Sequence, residues 1–103
     1  MAEMNHFLCR LVPPRPDFAA TMTTEERDVM LAHVRYWTEQ LRAGAALAFG
    51  PVADPKGDWG VGIIKAPDLA TVETLREADP AIVSGRGFSY EILPFVRLIT
   101  SLA

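Results

Sequence analysis

The sequence predicts an α+β sandwich, with one four-stranded antiparallel sheet carrying two helices on one face. Three observations predict it. The hydrophobic period switches from two to about 3.6 and back, twice along the chain. Turn signals at Pro13, Gly44, Pro51 and Pro80 fall at those switches. The 103 residues, 50% apolar and 22% charged, have the size and composition of a single folded domain spanning 1–103.

The first strand is the apolar run "HFLCRLV" at 6–12, and "PPRP" ends it because proline has no N–H for a ladder. Residues 13–22 form a long connection, and in so small a domain such a loop is more often functional than decorative. The first helix begins at "TTEER". Thr23 and Glu26 stand at capping-box spacing, and Glu25 and Glu26 suit the positive end of the helix dipole. Met30, Val34, Trp37 and Leu41 form its apolar stripe and Gly44 stops it. His33 falls inside that stripe, about 40° round the helix from Trp37 and about 60° from Met30.

"AALAFGP" at 45–51 is the second strand, ended by Gly50-Pro51, and "ADPKGD" at 53–58 is turn chemistry. "WGVGIIK" at 59–65 is the third strand. Its Gly60 and Gly62 share one face, where they leave room for a neighbour or a ligand. Asp68 caps a second helix with a stripe at Leu69, Val72 and Leu75, reaching Ala78 and Asp79. Pro80 then ends that helix or starts a fresh turn. "GFSYEIL" at 87–93 alternates cleanly and is the fourth strand. The order β-α-β-β-α-β implies a ferredoxin-like sandwich. Its helix-free sheet face is apolar enough to need a partner, and a second copy related by a two-fold axis is the economical one.

Charge and composition narrow the function classes. A net charge of −3 with no basic stripe argues against nucleic acid. No run approaches the ~20 apolar residues of a membrane span, and the N-terminus lacks a signal-peptide layout, so a cytoplasmic protein without a membrane partner is expected. The lone Cys9 reads as a small buried hydrophobe. His6, His33 and Cys9 show no metal-ligand spacing, there is no phosphate loop, and neither a metal nor a cofactor is expected.

Several stretches read together resemble the YCII-related family: "HFLCRLVPPRPDF", "HVRYW", "AFGPVADPKGDWGVGI", "EADPAIVSG" and "FSYEILPF". The resemblance runs from residue 6 to about 95. Its most specific elements are His33, Gly50-Pro51 and Asp79-Pro80, in that order. It implies a dimeric α/β barrel, formed as sheets pair across two chains, with a pocket between helices and sheet. It also implies a His–Asp pair as acid–base groups, here His33 and Asp79. One family member is a dehydrochlorinase of aromatic-compound breakdown, and related proteins include muconolactone-isomerase-like enzymes and cofactor-free oxygenases.

Taken as residues, His33 and Asp79 sit on two helices that the sandwich packs side by side; if they meet, the carboxylate would fix the imidazole tautomer, and otherwise His33 is a buried histidine bonded to a backbone carbonyl and Asp79 a turn residue before proline. Trp37 and Phe49 are core residues or, with Gly50 and Pro51, the wall of a pocket, and Arg10 either snorkels to water at a sheet edge or holds an anionic ligand. Two readings follow. One is a cofactor-free enzyme moving a proton, in elimination or isomerisation, on a small cyclic or aromatic acid. The other is a non-catalytic dimeric module that binds or senses a small molecule. In both, the chain partners itself, as a homodimer or a dimer-based oligomer, and a small-molecule ligand.

Overall fold

The computed structural model describes residues 4–101. Four strands and four helices follow in the order β1 (Asn5–Val12), α1 (Phe18–Thr21), α2 (Thr24–Arg42), β2 (Ala46–Val52), β3 (Trp59–Ala66), α3 (Leu69–Ala78), α4 (Pro80–Val83) and β4 (Ser89–Pro94). The strands form one sheet in the order β2-β3-β1-β4 with every neighbouring pair antiparallel. This is the ferredoxin-like arrangement, with two single-turn helices, α1 and α4, added to the two long ones.

Strand alternation assigns the faces. Phe7, Cys9 and Leu11 of β1 are buried, and the register sets Cys9 opposite Gly62 and Ile92, and Phe7 opposite Ile64. These side chains meet Trp37 of α2 and Val72 of α3 in the main core, so both long helices cover the same sheet face. A second cluster of Leu11, Phe18, Ala81 and Phe88 lies at one end, where Phe18 and Phe88 pack edge to face with centroids 5.2 Å apart.

The helix caps follow the sequence. Thr23 and Glu26 form the complete capping box, and Gly44 leaves α2 in the left-handed region at φ 83°. Asp68 caps α3 by accepting from Thr71 N. The Asp79-Pro80 step ends α3 and opens α4, with Asp79 as N-cap and proline in the first turn.

The buried line of α2 differs in phase from the expected stripe. Val34 and Leu41 are 47% and 41% exposed, whereas Glu26 and Trp37 are buried and Met30 and His33 half-buried. Positions 26, 30, 33 and 37 are spaced 4, 3 and 4 residues apart, so they form the line facing the sheet. The apolar residues at 34 and 41 flank it.

The 13–22 connection is held rather than loose. Arg15 makes a bidentate pair with Glu26 at 2.8 and 2.7 Å, and also donates to the Thr21 side chain and carbonyl. Gly57, in the turn between β2 and β3, adopts φ +132°, and a Cβ there would come within 2.8 Å of the Pro16 carbonyl oxygen. The turn therefore packs backbone to backbone against "PPRP". Asp54 organises this turn by accepting from Lys56 N and Trp59 Nε1.

Candidate functional site

A cavity of about 230 Å³ lies between α2 and the sheet. Its floor exists because β3 presents glycine twice to the inner face. A Cβ on Gly60 would meet Leu11 at 3.5 Å, and one on Gly62 would meet Ile64 at 3.9 Å, which are ordinary contacts, so the glycines leave the floor lower than any side chain would. Phe18, Met22 and Met30 line one side, which gives the 13–22 segment its place in the site. Phe49, Gly50 and Pro51 of β2 line another.

His33 and Trp37 lie in the cavity wall, one turn apart on α2. Asp79 is not in that wall. It lies behind it, fully buried at 0% exposure, and His33 Nδ1 reaches both its carboxylate oxygens at 2.9 Å. Asp79 also accepts from Trp37 Nε1 at 2.8 Å, from Tyr90 Oη at 2.5 Å and from the Ala81 backbone N–H at 2.8 Å. Four groups from three parts of the chain thus converge on one carboxylate.

The electrostatics follow from that convergence. Burial works against the charged carboxylate, but the hydrogen bonds from His33, Tyr90 and Trp37 outweigh it and hold the Asp79 pKa below its ordinary value. Burial, together with the adjacent Asp79 charge, pushes the Tyr90 phenol upward, so Tyr90 stays a donor. An ionised carboxylate has no proton to give, so the hydrogen between His33 and Asp79 belongs to Nδ1 of His33. In the neutral ring, Nε2 then carries the lone pair. Nε2 has no hydrogen-bond partner among the described residues, and the imidazole lines the cavity.

The other expected residues divide. Phe49, Gly50, Pro51 and Trp37 come together around the cavity with His33. Arg10 does not join them. It lies between Cys9 and Leu11 on β1 and so points to the opposite sheet face, where its guanidinium stacks 4.6 Å above the Trp59 ring and 4.0 Å from Glu91. Cys9 lines the cavity floor, and burial pushes its thiol up to about 11, away from nucleophilic use. Tyr90 joins the site with only an inward strand position as its sequence signal, which says which face it occupies but not what it touches. Among the described residues, no group of three His, Cys, Asp or Glu side chains could hold a metal ion, and no helix is long and apolar enough to cross a membrane.

Fold and cavity together define a class of small ferredoxin-like α+β proteins with a helix histidine paired to a buried aspartate. A sequence model of the YCII-related domain matches residues 6–96. The chain belongs to the YCII-related domain family. No curated protein matches it. Among solved structures it is similar to an uncharacterized protein from Thermotoga maritima, with 14% identity and a TM-score of 0.46 over 89% of this chain and 98% of that one.

Proposed function

We propose that this protein is a cofactor-free proton-transfer enzyme, with His33 Nε2 as the base and Asp79 as the group that orients it. One observation carries the reading: His33 donates through Nδ1 to a buried, ionised carboxylate while its ring borders an apolar cavity. A histidine held this way offers its other nitrogen in a fixed direction, and an acceptor so placed can remove a proton from a bound molecule. In an isomerisation, Nε2 takes a proton from one carbon and the imidazolium returns it to another. In an elimination, the electrons of the broken C–H bond form a new double bond as the leaving group departs with its bonding pair. The substrate is a small cyclic or aromatic molecule, since the wall is largely Phe, Met, Trp and Pro side chains.

The base is testable without knowing the natural substrate. Phenylacetone is a weak carbon acid of suitable size. In deuterium oxide the protein should speed deuterium entry at its activated carbon, read by mass spectrometry. His33→Gln should lose that acceleration by a factor of about 10²–10⁴. Equal rates for wild type and variant would end the reading.

We also propose that two copies pair through the helix-free sheet face. Leu8 and Ile63 form a cross-strand pair on that face, both half-buried, with the half-buried Val61 beside them and Leu93 56% exposed. These apolar side chains point away from the helices, and a second copy would cover them.

A further inference from the structure

The charge inventory of the cavity bears on what it takes. This inference rests on the reading of the cavity as the substrate site, and adds the ligand's charge and size. Among the described residues the lining contains no lysine or arginine, and its one carboxylate is the exposed Asp58. Arg10, the nearest candidate by sequence, is not in the lining; its side chain leaves the opposite sheet face, stacking on the Trp59 ring and lying 4.0 Å from Glu91. The remaining source of positive charge is His33 itself. If it is protonated, Asp79 at 2.9 Å already balances it, leaving a neutral pair to face the ligand. An anion entering the cavity would give up its water with no cation to receive it.

The polar contacts available are also few. Tyr90 Oη and Trp37 Nε1 both point at Asp79 Oδ2 and are committed there. His33 Nε2 remains, as an acceptor. Size agrees: a cavity of about 150 Å³ holds one benzene molecule, so about 230 Å³ has room for a single ring with a short substituent.

We infer that the cavity selects a neutral, single-ring molecule and rejects the carboxylic acid of the same shape. This changes the substrate class expected from the sequence, where Arg10 was available to an acid.

Benzamide and benzoate test the inference, being nearly the same in shape and differing in charge. Each is titrated into the full chain at neutral pH while the Gly60 and Gly62 amides and the Met22 and Met30 methyl groups are followed by NMR. Benzamide should shift those signals in the millimolar range, and benzoate should bind about tenfold or more weakly, which is about 1.4 kcal/mol. Gly62→Val keeps a residue that suits a strand while filling the floor, and should abolish the benzamide shifts. Benzoate binding as tightly as benzamide would overturn the charge selection. Binding of neither, or binding that Gly62→Val leaves intact, would overturn the assignment of this cavity to a neutral ring. The role of His33 as a base is judged separately by deuterium exchange, so each proposal can fail while the other stands.

Discussion

Tyr90 Oη donates to Asp79 Oδ2 at 2.5 Å, and so fastens the last strand to the turn where α3 gives way to α4. The carboxylate that orients His33 is therefore also a structural joint. Its substitution cannot separate a chemical role from a folding one, whereas substitution of His33 can.

Asp79→Asn should be strongly destabilising. It removes the charge from a fully buried acceptor with four donors around it, and replaces one oxygen by an NH₂ group facing them. The expected loss is on the order of 3 kcal/mol, and the melting temperature should fall by more than about 10 °C. Tyr90→Phe removes one of the donors and should cost about 1.5–3 kcal/mol. His33→Gln, whose amide can still donate to Asp79, should stay within about 1 kcal/mol of wild type. Thermal unfolding of the three variants checks the order.

Stability should fall in acid through Glu26 and Asp79. The Arg15 guanidinium and the Thr23 backbone N–H hold the Glu26 carboxyl at about 2, against 4.5 unperturbed, and Asp79 is shifted in the same direction. Both pKa values are lower folded than unfolded, so the unfolded chain takes up protons first as pH falls. The Glu26 contribution is complete well above about 4.5 and is lost progressively toward about 2, and that of Asp79 is lost in the same direction as pH falls. Denaturant unfolding across that range should show the decline. Glu26→Gln should be less stable than wild type at neutral pH and should show a shallower decline.

Gly57→Ala should destabilise by about 1–3 kcal/mol, because φ +132° is a glycine conformation and the added Cβ would press on Pro16 backbone at 2.8 Å. Gly50→Ala, where a Cβ meets nothing within 4 Å, is the matched control and should be close to neutral.

Ile63→Lys should yield a monomer if two copies pair through the helix-free face. Lysine there places a charge opposite Leu8 in the middle of that surface. Sedimentation of wild type should give a dimer at micromolar concentration, and a wild-type monomer would refute the pairing.

What could be read in advance was local. The capping box at Thr23 and Glu26, the alternation of Phe7, Cys9 and Leu11, and the paired glycines of "WGVGIIK" all act within a few residues, and each reappears in the fold. The same alternation carried the signal that Arg10 faces away from the cavity, since it lies between Cys9 and Leu11. The phase of α2 was harder. Glu26 is charged yet buried because Arg15 reaches it across 11 positions, so a hydrophobic pattern alone turned the stripe toward Val34 and Leu41. The bonds from Trp37 and Tyr90 to Asp79 span 42 and 11 positions. Periodicity tells which face each occupies, and only the three-dimensional packing brings them to one carboxylate.

Asp79, held ionised, should fix the proton of neutral His33 on Nδ1 and leave Nε2 bare toward the cavity. Imidazole ¹⁵N NMR reads this directly, because protonated and bare ring nitrogens differ widely in chemical shift. His33 in its neutral form should show a protonated Nδ1 and an unprotonated Nε2, with the Nε2 signal moving when benzamide is added. A neutral His33 with its proton on Nε2 would contradict it.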